Sequence, residues 1–290
     1  MRESKTALHC LSKKQESAPK ITIVTIALNA CSSIEETILS VINAKNRFIQ
    51  YIVVDGGSKD GTMEVINRYK DKIDIIVSEP DRGIYDAMNK GIALSTGDVI
   101  GLLNSGDVYE NDALDAVAEA VNKHGKNAIY FGNAFLFYID LGKKRLVQAK
   151  MPNLTRSMSI CHQAVFIPRS VYARFGAYSL EYKYASDFHY LLNLYLRKER
   201  FVHIDCPLVT FRTGGLSDTK ILSSRLETIR ILFQLGSPER FKGALLYIYE
   251  IGQMYIYRGL VKALGKGVAA SLRLKLSRST GVSPPKNERI

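Results

Sequence analysis

Ile21-Thr22-Ile23-Val24-Thr25-Ile26-Ala27 is an uncharged, β-branched run that stops at Leu28-Asn29, and Tyr51-Ile52-Val53-Val54 repeats the pattern before Asp55-Gly56-Gly57-Ser58. Between the two runs, Ser32-Ser33 followed by Glu35-Glu36 opens a helix to about Ala44, because small hydroxyl residues cap helix starts and acids suit the first turn. The alternation continues with a helix over about 60–69, a short strand at 73–77, a helix carrying Ile84, Ala87, Met88, Gly91 and Ile92, and a strand at 99–103. Strands alternating with helices of this length require crossover connections, so the stretch predicts an α/β fold with a mainly parallel central sheet flanked by helices.

Beyond Asp107 the pattern loosens. A helix near 112–123 leads to a long apolar-aromatic strand at 129–139, then to less regular sequence up to about Arg169. A helix over 186–197, a strand at 201–204 and almost wholly helical sequence from Lys220 follow. The predicted organisation is a disordered leader at 1–19, an α/β domain at 20–217 divided near residue 110, and a helical extension at 218–290.

Composition narrows the class. A chain of 290 residues with 46% hydrophobic and 23% charged residues can bury a substantial core. The formal charge is +12, and residues 239–290, with ten Lys/Arg against Glu239, Glu250 and Glu288, contribute +7 of it. Such a localised basic segment suits an anionic partner or a solvated tail. Cys10, Cys31, Cys161 and Cys206 are scattered, which argues against a zinc site or a disulfide framework. The N-terminal residues lack the apolar run of a signal peptide. The apolar stretch 244–261 is interrupted by Glu250, Gln253 and Arg258, so it is a poor membrane span.

Ligands of open parallel sheets bind beyond the carboxyl ends of the strands. Three suggestive segments sit at such ends: Leu28-Asn29, Asp55-Gly56-Gly57-Ser58 and Asn104-Ser105-Gly106-Asp107. Singly, each is ordinary turn chemistry; their coincidence is what points to a site. No Gly-x-Gly-x-x-Gly follows the first strand and no phosphate-loop Gly-x-x-x-x-Gly-Lys-Ser/Thr occurs, so positive charge for a phosphate ligand has to come from elsewhere. A divalent cation held by the strand-end carboxylate of Asp107, beside Asn104, supplies it with hard oxygen ligands of the kind Mg²⁺ or Mn²⁺ prefers.

Taken together, Ile23-Val24-Thr25-Ile26-Ala27-Leu28-Asn29, Val53-Val54-Asp55-Gly56-Gly57-Ser58-Lys59-Asp60-Gly61-Thr62, Asp81-Arg82-Gly83-Ile84-Tyr85-Asp86-Ala87-Met88-Asn89-Lys90-Gly91 and Leu103-Asn104-Ser105-Gly106-Asp107 resemble the family 2 glycosyltransferases of GT-A fold, of the kind that build bacterial surface polysaccharide. The likeness continues more weakly through Cys161-His162-Gln163, Ser186-Asp187 and Gly214-Gly215-Leu216-Ser217. It implies a nucleotide-sugar half at 20–110 and an acceptor half at 111–217. It further implies inverting transfer from a nucleotide-diphosphate donor, expected to be UDP-linked, to a hydroxyl of a growing or lipid-linked glycan. Ala27, Leu28, Asn29, Asp55, Gly57, Asp86 and Asn104 would bind the donor, and Asp107 the Mn²⁺ or Mg²⁺. The family's acidic motif is reduced here, with Asn104 and Gly106 where acids usually stand, so metal affinity without nucleotide should be poor.

The resemblance places a base at Asp187, which shares a helical stripe with Leu191 and Tyr195; partial burial is expected to raise its pKa. His162, Gln163 and Arg212 are expected to line the acceptor pocket or a lid, with His189 a packing residue. Tyr247, Tyr249, Tyr255 and Tyr257, followed by Arg258, Lys262, Lys266, Arg273, Lys275 and Arg278, have the texture of a membrane interface. Such residues either pack on the domain or meet a membrane surface. In the second case lipid headgroups, not nucleic acid, are the anionic partner, and the chain is expected to be cytoplasmic, peripheral on the inner membrane face where it docks. Two rivals are a sugar nucleotidyltransferase, which needs a Gly-rich basic loop that 27–33 does not offer, and a non-catalytic nucleotide-sugar-binding or scaffold protein, favoured by the reduced acidic motif.

Overall fold

The computed structural model describes residues 19–44, 48–213 and 220–264. The leader to residue 18, the Gly214-Gly215-Leu216-Ser217 segment, the tail from residue 265 and the side chains of Tyr257, Arg258 and Lys262 lie outside the described residues. The first half alternates as predicted: β1 (Ile21–Ala27), α1 (Ile34–Ile42), β2 (Ile49–Asp55), α2 (Thr62–Asn67), β3 (Ile75–Ser78), α3 (Ile84–Leu94) and β4 (Val99–Asn104). Then come β5 (Val108–Tyr109), α4 (Ala113–His124), β6 (Ile129–Tyr138), β7 (Lys143–Val147), β8 (Val165–Pro168), α5 (Arg169–Phe175), α6 (Ser186–Leu196) and β9 (Phe201–Arg212). Two helices, α7 (Ile221–Gln234) and α8 (Arg240–Leu264), follow.

All nine strands join one sheet in the order β3-β2-β1-β4-β8-β6-β9-β5, with β7 on the flank of β6. The nucleotide half is parallel: Ala27 pairs with Asp55, and Ile26 with Asn104, so the three strand-end segments are neighbours along one edge. Past β4 the sheet becomes mixed, because β8 runs antiparallel to both β4 and β6 while β9 runs parallel to β6. The predicted strand at 201–204 is the first third of a twelve-residue strand, continued through a bulge opposite Gly132 and Asn133. Asp205-Cys206-Pro207 at the bulge break the apolar pattern before the buried Leu208 and Val209, which hid the continuation from a hydrophobicity reading.

Apolar side chains on the two faces of the sheet form two cores. One gathers Val24, Ile52, Met88, Leu102, Phe188 and Leu191; the other gathers Ile23, Ile38, Val53, Leu103, Val117 and Phe166. Gly91 of α3 lies so close to β1 that a Cβ would stand 2.1 Å from Val24 Cγ1. The C-terminal helices are part of this body: Ile231, Leu232 and Tyr247 belong to the first core, and the Tyr247 hydroxyl accepts a bond from the Met158 amide.

Candidate active site

The first two strand-end loops are built into each other. Asn29 adopts φ 48°, a left-handed conformation that Asn tolerates better than most residues, and this turns its side chain toward the second loop. Its Oδ1 accepts the Lys59 amide at 3.0 Å, and its own amide donates to Ser58 Oγ at 2.8 Å. Ala27 is buried, whereas Leu28 is 55% exposed at the sheet edge. Asp55 is 0% exposed and folds the loop that follows it. Its Oδ2 accepts the Gly57 and Ser58 amides and the Ser78 hydroxyl, and its Oδ1 accepts the Ser58 hydroxyl in a short bond. Of the four lone-pair directions of a carboxylate, Oδ1 keeps one for a ligand donor. Gly57 supplies the positive φ that this turn needs. Asp86 is also buried and engaged by its own helix start: the Arg82 amide and guanidinium both donate to it, holding its carboxyl below the usual range.

The third segment is a tight turn in which the Asp107 amide donates to the Asn104 carbonyl and Gly106 sits at φ 93°. Thr37 of α1, fully buried, clamps it: its hydroxyl accepts the Gly106 amide and donates to the Asp107 carbonyl. The Asp107 carboxylate is 7% exposed. Gln163 Nε2 donates to its Oδ2 at 2.8 Å, and the Arg212 amide donates to its Oδ1 at 3.0 Å. Burial pushes the Asp107 pKa up to about 6, against the opposing effects of the Arg212 amide, the nearby His162 and Gln163. The Arg212 guanidinium does not turn to this carboxylate; it pairs with Glu36 of α1 and lies over the Phe137 ring.

Asp187 stands in the first turn of α6 with both oxygens occupied. Oδ1 accepts the Tyr85 hydroxyl and the Phe188 amide, each at 2.9 Å, and Oδ2 faces His162 Nδ1 at 3.2 Å. The expectation of a raised pKa is corrected here. Burial does push upward, but the hydrogen bond and charge of His162, the Tyr85 hydroxyl and the Phe188 amide outweigh it and hold Asp187 below the usual carboxylate range. His162 opens a short 3₁₀ turn that also carries Gln163, and its Nε2 is buried with no protein partner. His189 packs against Tyr182, ring centroids 4.8 Å apart.

The structure therefore brings Asp107, Gln163, His162 and Asp187 into one connected group, with Asn104 and the Arg212 backbone beside it. Asn29, Asp55 and Gly57 form the adjoining loop pair. Sequence reading passed over three contributors. In the sequence Tyr85 is one residue of a longer motif, Thr37 an ordinary helix residue and Glu227 of α7 part of the C-terminal extension. Glu227 accepts the amides of Lys183, Tyr184 and Ala185, which fixes the start of α6.

A divalent cation is a partial fit. Among the described residues no group of three or more His, Cys, Asp or Glu could hold a metal ion. Asp107 offers one carboxylate, and Asn104 Oδ1 is a buried oxygen without a partner. Two protein oxygens leave most of a six-oxygen shell to a diphosphate and water, so these residues suit a cation that arrives with its nucleotide.

The family model described as Glycosyl transferase family 2 matches residues 22–175. An uncharacterised glycosyltransferase of Mycobacterium tuberculosis H37Rv is 32% identical over 233 residues, which are 78% of this chain and 88% of that protein. A PGL/p-HBAD biosynthesis glycosyltransferase of Mycobacterium bovis BCG is 26% identical over 226 residues, 76% of this chain and 87% of that one. Among solved structures, S. aureus TarS residues 1–349 in complex with UDP superposes with a TM-score of 0.60 at 15% identity, covering 74% of this chain and 65% of that chain. The mannosyltransferase PcManGT from Pyrobaculum calidifontis, in complex with GDP-Man and Mn²⁺, gives 0.53 at 16% identity over 93% of this chain and 82% of that one. At such identities the superpositions speak for the GT-A fold alone. The family match covers more than half of the sequence and the first relative spans most of both chains, so this chain is a glycosyltransferase and belongs to glycosyl transferase family 2.

Proposed function

We propose that the chain moves a sugar, with inversion, from a nucleotide-diphosphate donor to a hydroxyl of a growing surface glycan. The observation that carries this reading is the placing of Asp107, bonded by Gln163, beside the His162–Asp187 pair, since His162 and Gln163 are consecutive residues of one short turn. Inverting transfer is one displacement, which needs the departing diphosphate and the attacking hydroxyl served within one sugar's width. Asp107 and Asn104 would hold Mn²⁺ or Mg²⁺, which supplies Lewis-acid stabilisation of charge on the leaving diphosphate. The loop of Ala27, Leu28 and Asn29, with Asp55 and Gly57, would seat the nucleoside. The Asp187–His162 pair would receive the acceptor proton. A UDP-linked donor is favoured by the likeness to a UDP-bound neighbour, and a guanosine-linked one by the other neighbour. Turnover of a nucleotide-sugar panel with Mn²⁺ and with chelator decides it; zero turnover on every donor with binding intact would sink the enzyme reading, and retention of configuration at the anomeric carbon would remove the inverting mechanism.

The acceptor would be a lipid-linked glycan presented at a membrane surface. No helix among the described residues is long and apolar enough to cross a membrane. The support is instead a stripe on α8. Phe241, Leu245, Ile248, Tyr249, Tyr255 and Ile256 are all exposed, and at helical spacing they fall on one face, while Ala244, Tyr247 and Met254 face the core. An uncharged apolar face of this extent, continued by a strongly basic tail, suits the interfacial layer of an anionic bilayer.

A further inference from the structure

We propose that the acceptor hydroxyl gives its proton to His162 Nε2, and that Asp187 is the positioning partner of that imidazole and not the base itself. The proposal deepens the transfer reading and rests on it.

The geometry of Asp187 motivates it. Both of its oxygens are turned inward, one to the Tyr85 hydroxyl and the Phe188 amide, the other to His162 Nδ1. A carboxylate so saturated has little basicity left for a substrate hydroxyl. It does fix an imidazole: accepting from Nδ1–H sets the tautomer in which Nε2 carries the free lone pair. Nε2 is buried and has no hydrogen-bond partner among the described residues. Buried polar atoms are seldom left unpaired, and where one is, a substrate group is a natural completion. The location fits as well. The turn that carries His162 also carries Gln163, whose amide holds Asp107, so the free nitrogen lies on the strip of backbone that links the donor and acceptor halves.

The step balances as follows. The acceptor oxygen's lone pair forms the bond to the anomeric carbon, and its proton passes to Nε2. The bond from that carbon to the diphosphate oxygen breaks, and its electron pair leaves with the nucleotide. The resulting imidazolium is stabilised by the Asp187 carboxylate until it loses the proton to solvent, the logic by which a buried acid supports a histidine base. The titratable groups near the pair are Tyr85 from α3, Asp107 from the β4–β5 turn, Cys161 next to His162, and the buried Tyr178 and Tyr247, which feel the Asp187 charge.

The test uses the full chain and a donor on which wild-type transfer has been established. For His162→Gln, kcat should fall by about 10²–10⁴-fold, the loss typical of a general base, while KM for the donor stays within about threefold. Asp187→Asn should lose a similar factor, and the double variant should be no more than about tenfold slower than either single one, because the two act as a unit. Imidazole added to His162→Ala should restore part of kcat, a rescue that a purely structural histidine would not give and that keeps the test informative if His162→Gln packs poorly. If His162→Gln keeps a third or more of wild-type kcat while Asp187→Asn is inactive, Asp187 is the base and the proposal is overturned. Wild-type protein that transfers no sugar from any donor would instead overturn the transfer reading beneath it, a result told apart by being independent of either substitution.

Discussion

Gln163 Nε2 donates to Asp107 Oδ2 at 2.8 Å, and this one bond ties the end of the parallel half-sheet to the turn that carries His162. Neither side chain is free to relax into water, since Asp107 and Gln163 are both buried. With Asp107 on the donor side and His162 on the acceptor side, as proposed, a change at Gln163 should be felt on both sides of the reaction.

Gln163→Leu keeps the volume and removes the donor. It leaves a buried carboxylate oxygen unpartnered, at a cost of about 1–3 kcal/mol. Transfer should drop by about tenfold or more in kcat/KM, with the donor KM raised, and the thermal midpoint should fall by several degrees. Steady-state kinetics with thermal melting checks both; unchanged donor KM would show that the bond serves packing only.

Asp107 carries a pH signature. Its folded pKa, about 6, lies above the unfolded carboxylate value near 3.8, so the folded state binds the proton more tightly. Its contribution is then fully present below the unfolded value and is lost as pH rises through about 4 to 6. Asp107→Asn removes the buried charge, so its stability should not fall between pH 5 and pH 7.5 as that of the wild type does. Its amide N–H meets one of the two donors the carboxylate accepts, which offsets part of the gain. The same variant should lose transfer and the extra stabilisation that Mn²⁺ with UDP gives the wild type. Denaturant unfolding at pH 5 and pH 7.5, with and without Mn²⁺ and UDP, measures this; equal stabilisation of the variant by that pair would remove Asp107 as a ligand.

The first half of the fold was legible because its strands are buried on both faces and read as unbroken apolar runs, and because turn residues stand at each strand end. Val24 and Gly91 illustrate the limit of such reading. The sequence marks Gly91 as part of a motif, but only the packing shows that a Cβ there would meet Val24 Cγ1 at 2.1 Å. The same holds for the site. Asp107 and Asp187 were found as single residues at plausible places, whereas the partners that decide their basicity come from elsewhere in the chain, Tyr85 reaching Asp187 across 102 residues. Periodicity carries no information about such pairs, and so the direction of the Asp187 shift was misjudged.

Gly91→Ala should therefore destabilise the protein by about 1–3 kcal/mol through overpacking, and Val24→Ala in the same chain should recover part of the loss, because the second change vacates the volume the first one needs. Chemical denaturation of the two single variants and the double variant forms the cycle. Strict additivity would mean that α3 shifts away from β1 instead of pressing on Val24.

Glu227 ties the C-terminal helices to the start of α6. Its carboxylate takes three successive amides, from Lys183 to Ala185, immediately before the turn that presents Asp187. Glu227→Ala strands those amides and should cost about 2 kcal/mol of stability. Small displacements of a catalytic group are expensive, so kcat should fall about tenfold or more at temperatures where the variant is still folded. Glu227→Gln, which keeps one acceptor oxygen, should lie between the two. If Glu227→Ala is destabilised but transfers at the wild-type rate, the start of α6 is held by its other contacts.

The exposed face of α8 yields the last expectation. Leu245 and Ile248 are 67% and 57% exposed, so replacing both by Glu leaves the core-facing Tyr247 and Met254 untouched and should not lower the thermal midpoint. On vesicles containing anionic lipid, the wild type should float with the lipid and the double-Glu chain should remain in the soluble fraction. The apolar face and the basic tail make different demands, and salt separates them. Charge attraction of the tail is screened over about 8 Å at physiological ionic strength, whereas burial of the α8 stripe is not. Binding that weakens but persists in 0.5 M salt assigns the docking to the stripe with the tail as an aid. Binding abolished by salt and indifferent to the Glu substitutions assigns it to the tail alone, and flotation of neither form on any lipid composition removes membrane docking from the reading.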